Sequence, residues 1–216
     1  STSEAYGTAV GVAGDVNGDG YDDVVIGAPS YSSGYGRAYV HHGSATGLAS
    51  TSSRTLTGGQ ATAYFGAAVC GAGEVNGDGY DDIAIGSYSY DDPENNEGAV
   101  FVYHGSASGI GSTVTTTLTL DQDSAYFGAA VAGHGDVNGD GYDDILVSAT
   151  QWDDGENEEG MAFLFLGSDI GIVTTAYWQV GSDQAAAYGA QSLALVDVSG
   201  DNFADIVVGS PLYNGS

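Results

Sequence analysis

Along the chain, apolar residues come in short runs of four to eight, β-branched or aromatic, separated by clusters of Gly, Asn and Asp. VVIGAPSY, IAIGSYSY, ILVSATQW and IVVGSPLY are four such runs; GRAYVHHG, GAVFVYHG and GMAFLFLG are three more. Runs of this length bounded by turn residues predict strands, and no stretch carries convincing helical periodicity. The runs recur in a fixed order. A Gly/Ala-rich strand such as GTAVGVAG leads, and a run apolar at consecutive positions (Val24, Val25, Ile26) follows. Next comes a run of larger side chains (Phe163, Leu164, Phe165, Leu166), then a Thr-rich strand around Arg54–Thr57 or Thr115–Leu120. Four antiparallel strands per unit, repeated at a fixed period, predict an all-β fold built from β-propeller blades. Small side chains suit the strand nearest a crowded axis, and consecutive apolar residues suit a strand covered on both faces. A parallel β-helix would need much shorter repeats.

Between the first and second strands stands a polar loop, DVNGDGYDD, from Asp15 to Asp23. It returns as EVNGDGYDD (Glu74 to Asp82), DVNGDGYDD (Asp136 to Asp144) and, more loosely, DVSGDNFAD (Asp197 to Asp205), at spacings of 59, 62 and 61 residues. Oxygen-bearing side chains occupy positions 1, 3, 5 and 9, with glycines between them. A short loop wraps a hard cation in this way, because carboxylates and an amide converge while Gly allows the tight turns. An EF-hand is excluded: its position 12 needs a bidentate Glu, and here Ile26, Ile85, Val147 and Val208 stand there, inside strands. A single Asn-Gly-Asp-Gly would read as a solvated turn. Four in register, each with the position-9 carboxylate, read as metal loops. All-protein oxygen cages favour calcium over magnesium. Each close carboxylate pair repels by ~1 kcal/mol even in a water-like dielectric, so the expected role of the ion is structural.

The charge narrows the partners. There are 29 acidic residues against two basic ones and a formal charge of -27. Almost nothing is available to neutralise phosphate, which argues against nucleic acid and against an anionic membrane surface. No apolar run reaches 18 residues, so no membrane span is expected. The single Cys70 excludes an intrachain disulfide and reads as a small buried hydrophobe. Millimolar calcium outside cells points to a secreted or cell-surface location. Ser1 reads as a processed or truncated start, and Asn214-Gly-Ser216 as a lone glycosylation sequon.

Aromatic-glycine pairs precede each loop at Tyr6-Gly7, Phe65-Gly66, Phe127-Gly128 and Tyr188-Gly189, and Gly27-Ala28-Pro29 follows the first. In this combination the whole chain resembles the FG-GAP repeat of integrin α-subunit propellers and their bacterial relatives. The third element departs from the pattern at Gly86-Ser-Tyr, Ser148-Ala-Thr and Gly209-Ser-Pro. The resemblance implies one propeller region over 1–216, with blades near 6–57, 65–120 and 127–180 and a half-blade at 188–213. It implies calcium ligands Asp15, Asn17, Asp19, Tyr21 (carbonyl) and Asp23 in the first loop. In the second it implies Glu74, Asn76, Asp78, Tyr80 (carbonyl) and Asp82, and in the third Asp136, Asn138, Asp140, Tyr142 (carbonyl) and Asp144. The fourth keeps Asp197, Ser199, Asp201, Phe203 (carbonyl) and Asp205, and is expected to bind weakest, since Ser replaces Asn and Asn202 replaces the turn Gly. Asp22, Asp81 and Asp143, at position 8, are expected to point away as outer or surface groups.

Two acidic insertions, Asp91 to Glu97 and Asp153 to Glu159, fall between second and third strands and project from the opposite face, where integrin-like propellers engage partners. Solvated loops, a partner site or a further cation site are the alternatives there. Tyr88, Tyr90 and Trp152 beside them suit either an interface or blade packing. No GxSxG, HExxH or CxxC motif is present, and His41 and His42 alternate across a strand, so an enzyme is not expected. Three blades and half of a fourth imply either part of a seven-bladed ring or completion by another chain. The expected function is a noncatalytic, calcium-binding extracellular propeller for binding, adhesion or surface assembly, with a protein or glycan ligand or self-association. The alternatives are a scaffold or substrate-binding domain of a larger secreted enzyme, or a filament subunit.

Overall fold

The computed structural model describes residues 4–214; Ser1 and the Gly215-Ser216 half of the sequon lie outside the described residues. Among the described residues fourteen strands form four antiparallel sheets in chain order. The first holds β1 (Val10–Gly14), β2 (Asp23–Ala28), β3 (Arg37–His41) and β4 (Arg54–Thr57). The second holds β5 (Ala68–Gly73), β6 (Asp82–Ser87), β7 (Ala99–Tyr103) and β8 (Thr116–Thr119). The third holds β9 (Phe127–Gly135), β10 (Asp144–Ala149), β11 (Met161–Phe165) and β12 (Trp178–Gly181). The fourth is the two-stranded pair β13 (Ser192–Val196) and β14 (Asp205–Gly209). The chain therefore folds as β-propeller blades. A short turn at Tyr31–Gly34, with Ser32 and Ser33 at positive φ, is its sole helical segment among the described residues.

The innermost strands β1, β5, β9 and β13 lie side by side and together line a central cavity of ≈ 320 Å³. Gly11, Gly71 and Gly133 make that approach possible; a Cβ at Gly133 would stand 2.6 Å from the Gly71 carbonyl. Cys70 faces this cavity half-buried, and burial pushes its thiol up to about 12.

The cores lie between blades. Phe65, the aromatic of the second blade's Phe-Gly pair, packs with Val25, Val40, Leu56, Ile83, Ile85 and Tyr103. Phe127 does the same one blade on, among Val100, Leu118, Ile145, Val147, Phe163 and Phe165. Each such ring contributes roughly 1.5–3 kcal/mol by leaving water. Burial of the second strands follows from their neighbours. β6 and β10 are buried at every position, β2 alternates between buried and half-buried, and β14 is mostly half-buried. Blades are also stitched directly: Gly36 bridges Phe65, and Gly98 bridges Phe127, in parallel pairing. Among the described residues no helix is long and apolar enough to cross a membrane.

Candidate metal centre

Each β1–β2-type hairpin loop folds around its own side-chain oxygens. In the first, Asp19 N–H donates to Asp15 Oδ1 (3.0 Å) and Asn17 Oδ1 (2.8 Å), Gly20 N–H to Asp15 Oδ2 (2.7 Å), and Tyr21 N–H to Asp19 Oδ1 (3.1 Å). The second repeats this with Glu74, whose longer side chain reaches the same Asp78 and Gly79 amides. There Asp78 N–H also meets Asn76 Oδ1 at 2.9 Å and Tyr80 N–H meets Asp78 Oδ1 at 3.1 Å. In the third, Asp140 N–H meets Asn138 Oδ1 (2.9 Å), Gly141 N–H meets Asp136 Oδ2 (2.8 Å) and Tyr142 N–H meets Asp140 Oδ1 (3.0 Å). Positions 1, 3 and 5 are thus gathered on the inside of the turn in all three. Gly18 and Gly20 hold φ of 72° and 88°, the left-handed values that the turn requires.

The position-9 carboxylates behave differently. Asp23, Asp82 and Asp144 are fully buried. One oxygen of each accepts the N–H of Val16, Val75 or Val137; the other accepts the N–H of Gly43, Gly105 or Gly167, just beyond the third strand. They tie the hairpin to the far side of the blade, and each oxygen keeps a second lone pair for an ion. Burial pushes Asp82 up to about 8, and the Asp78 and Glu74 charges add to that against the Gly105 and Val75 hydrogen bonds. Asp144 is pushed to about 6 by burial first, with Asp136 and Asp140 adding to it. Asp23 shifts upward for the same leading reason. A carboxylate so placed is relieved by a cation.

The fourth loop departs as its sequence does. Asp197 accepts from Gly200, Asp201 and Asn202, and these bonds, the Asn202 amide foremost, hold its carboxyl below the usual range. Asp201 accepts from Phe203 N–H at 3.0 Å, and Ser199 Oγ reaches Asp197 at 3.4 Å. Asp205 receives both Val198 and Ser199 N–H on a single oxygen; among the described residues the fourth sheet holds two strands, and no donor like Gly43, Gly105 or Gly167 meets its other oxygen. Asn202 takes the glycine-like φ of 70°.

The residues fit a hard divalent ion. Their donors are all oxygen, and the chain's two cationic side chains are engaged elsewhere: Arg54 Nε donates to Ile110 O (2.7 Å), and Arg37 covers the Tyr31 ring (3.4 Å). Among the described residues no three Asp, Glu, His or Cys side chains already meet on one ion position. The loops mix carboxylates with Asn and main-chain oxygen, and their carboxylates are occupied by main-chain amides.

Two features were missed by sequence reasoning. Two of the three position-8 aspartates, Asp81 and Asp143, do not point away. Asp81 Oδ2 accepts Asp15 N–H of the preceding loop (2.7 Å) while Asp81 N–H returns to Asp15 O (3.2 Å). Asp143 does the same to Glu74 (2.9 and 3.0 Å). The position-7 rings follow them: Tyr80, Tyr142 and Phe203 lie over Gly18, Gly77 and Gly139 of the loop before. Asp22 has no such partner among the described residues, and Ala204 replaces the carboxylate in the fourth loop. The second feature is the amide donor after each third strand, signalled only by the repeated Gly-Ser at 43, 105 and 167. Of the aromatics beside the acidic insertions, Trp152 and Tyr90 pack within their blades, on Phe163 at 5.2 Å and Phe101 at 5.4 Å, while the half-buried Tyr88 stacks on Tyr64 at 5.3 Å.

Comparison with known proteins agrees with this architecture. The family model described as FG-GAP repeat matches residues 6–41, 65–103, 127–165 and 189–216. Integrin alpha-PS2 of Drosophila melanogaster is 31% identical over 213 residues, 92% of this chain and 15% of that protein. Integrin alpha-6 of Homo sapiens is 37% identical over 150 residues, 68% of this chain and 13% of that protein. Integrin alpha pat-2 of Caenorhabditis briggsae is 31% identical over 223 residues, 95% of this chain and 18% of that protein. The chain thus spans less than a fifth of the length of these relatives.

Proposed function

The chain belongs to the FG-GAP repeat family, and from that premise we propose a noncatalytic, calcium-stabilised propeller region of a secreted or cell-surface protein, serving binding, adhesion or surface assembly. The observation that carries the reading is the fourfold recurrence of one oxygen-lined hairpin, with a buried position-9 carboxylate beneath it in the first three blades. The ligands are those named for each loop, at positions 1, 3, 5 and 9 with the position-7 carbonyl, and the fourth loop holds calcium least tightly. The whole chain forms one propeller region, and a protein or glycan partner engages the face opposite the hairpins. A cavity of ≈ 440 Å³ bordered by Pro29, Ser30, Tyr64 and Tyr88 supports a partner there. The half-buried β14, which among the described residues pairs on one side only, supports completion of the fourth blade by further strands.

The test is a thermal melt with calcium and with EDTA, paired with calcium titration of an Asp19→Asn/Asp78→Asn/Asp140→Asn variant. Calcium should raise the melting temperature of the parent and do so much less in the variant. Superimposable melts in calcium and EDTA would overturn the reading.

A further inference from the structure

We propose that Glu97 with Asp92 and Asp121, and Glu159 with Asp154 and Asp183, form two additional divalent-cation sites of the calcium class on the face opposite the hairpins. The leading observation is Glu97. It is completely inaccessible to water, yet neither Oε1 nor Oε2 has a hydrogen-bond partner. The Glu94 amide lies nearby without reaching hydrogen-bond geometry. Glu159, at the matching place before Gly160, is 1% exposed; its Oε1 accepts Asp154 N–H (2.7 Å), and its Oε2 has no partner, the Asp183 amide lying nearby without reaching hydrogen-bond geometry. An unpaired buried carboxylate is costly unless it is neutralised or meets a cation.

Among the described residues the surroundings supply no positive group. The charges acting on Glu97 are those of Asp92, Asp121 and Glu94, and those acting on Glu159 are Asp154 and Asp183. Asp92, Asp121, Asp154 and Asp183 are exposed while Glu97 and Glu159 are buried, so each sealed carboxylate has solvent-facing acids around it that must draw in to close on an ion. These loops are braced from the next blade: Ser124 N–H donates to Asn95 O (2.8 Å) and Phe127 N–H to Glu97 O (2.8 Å). In the third blade Ala186 and Gly189 N–H donate to Asn157 O and Glu159 O, both at 2.8 Å.

The repeat itself provides a control. In the first blade the loop is shorter, Tyr35 precedes Gly36 where Glu97 precedes Gly98, and Gly59 precedes Gln60 where Asp121 precedes Gln122. The buried Glu and its acidic partner from the following linker are lost together, as expected if they serve one ion. With no His or Cys among these residues, the donor set selects calcium over zinc.

The probe is calcium alone, by equilibrium dialysis up to several millimolar, a range chosen because extracellular oxygen sites bind at about 10⁻⁴–10⁻³ M. Saturation binding should fall by one ion per chain in Glu97→Gln and by two in Glu97→Gln/Glu159→Gln, while the hairpin triple variant loses a separate set. In EDTA, Glu97→Gln should melt no lower than the parent, because it removes an uncompensated charge. Asp121→Asn, at an exposed position, should weaken the same ion at least several-fold without affecting folding. Unchanged stoichiometry and affinity in Glu97→Gln and Asp121→Asn overturn the proposal and leave the hairpin reading untouched.

Discussion

Replacing Asp81 with Ala tests whether the loops hold one another. Asp81 Oδ2 receives the Asp15 amide of the preceding blade at 2.7 Å, and the side chain fills the space above Gly14, where a Cβ would stand 2.2 Å from it. A hydrogen bond to a charged group contributes about 1.5–3 kcal/mol net. Asp81 is partly exposed, and repulsion from carboxylates nearby offsets some of that, at ~1 kcal/mol per close pair. The expected loss is about 1–2 kcal/mol, which lowers the melting temperature of a chain this size by about 2–8 °C. Asp22→Ala is the control: the residue type and loop position are the same, the side chain is exposed, and no donor meets it among the described residues. Its effect should stay within about 0.5 kcal/mol. Both melts are run in saturating calcium so that metal occupancy is held fixed. Equal shifts for the two variants, or no shift for Asp81→Ala, would refute the reasoning.

Calcium uptake should release protons near neutral pH, since burial pushes Asp82 to about 8 and Asp144 to about 6; a weakly buffered titration at pH 6.5 would show the acidification. In EDTA these raised carboxyls should make the protein most stable below the free Asp value of 3.8, with that contribution lost as pH rises through about 6 and about 8. Melts across that range in EDTA and in calcium should therefore run in opposite directions. Gly27→Ala should cost about 1–3 kcal/mol or more, since its Cβ would stand 1.9 Å from the Gly66 carbonyl, whereas Gly59→Ala meets nothing within 4 Å and should be nearly neutral in a denaturant series. Asn202→Gly, at φ 70°, should relieve left-handed strain, stabilise the chain by a few tenths of a kcal/mol and tighten the fourth loop in a calcium titration.

The strands were legible because their patterning has two independent parts. Consecutive apolar residues in IAIG and ILVS announced strands covered on both faces, and β6 and β10 are so covered. The loops were legible because alternate oxygens and glycines recur in register. Contacts between copies were not. Position 8 looks like any acidic turn residue until the next blade places the Asp15 amide beside Asp81, a partner 66 residues distant. Glu97 likewise reads as one acid among several in a polar loop. Only the fold shows that it is the one sealed from water, because the following linker crosses over it.

The contacts from Tyr80 and Asp81 to Gly18 and Asp15, and from Tyr142 and Asp143 to Gly77 and Glu74, string the first three hairpins into a belt. Whatever steadies one buckle must, by reciprocity, steady its neighbour. Ions entering the first three loops should then arrive over a narrower concentration span than independent sites allow. The fourth loop, gripping the third through a ring and a main-chain bond but no carboxylate, should fill on its own schedule.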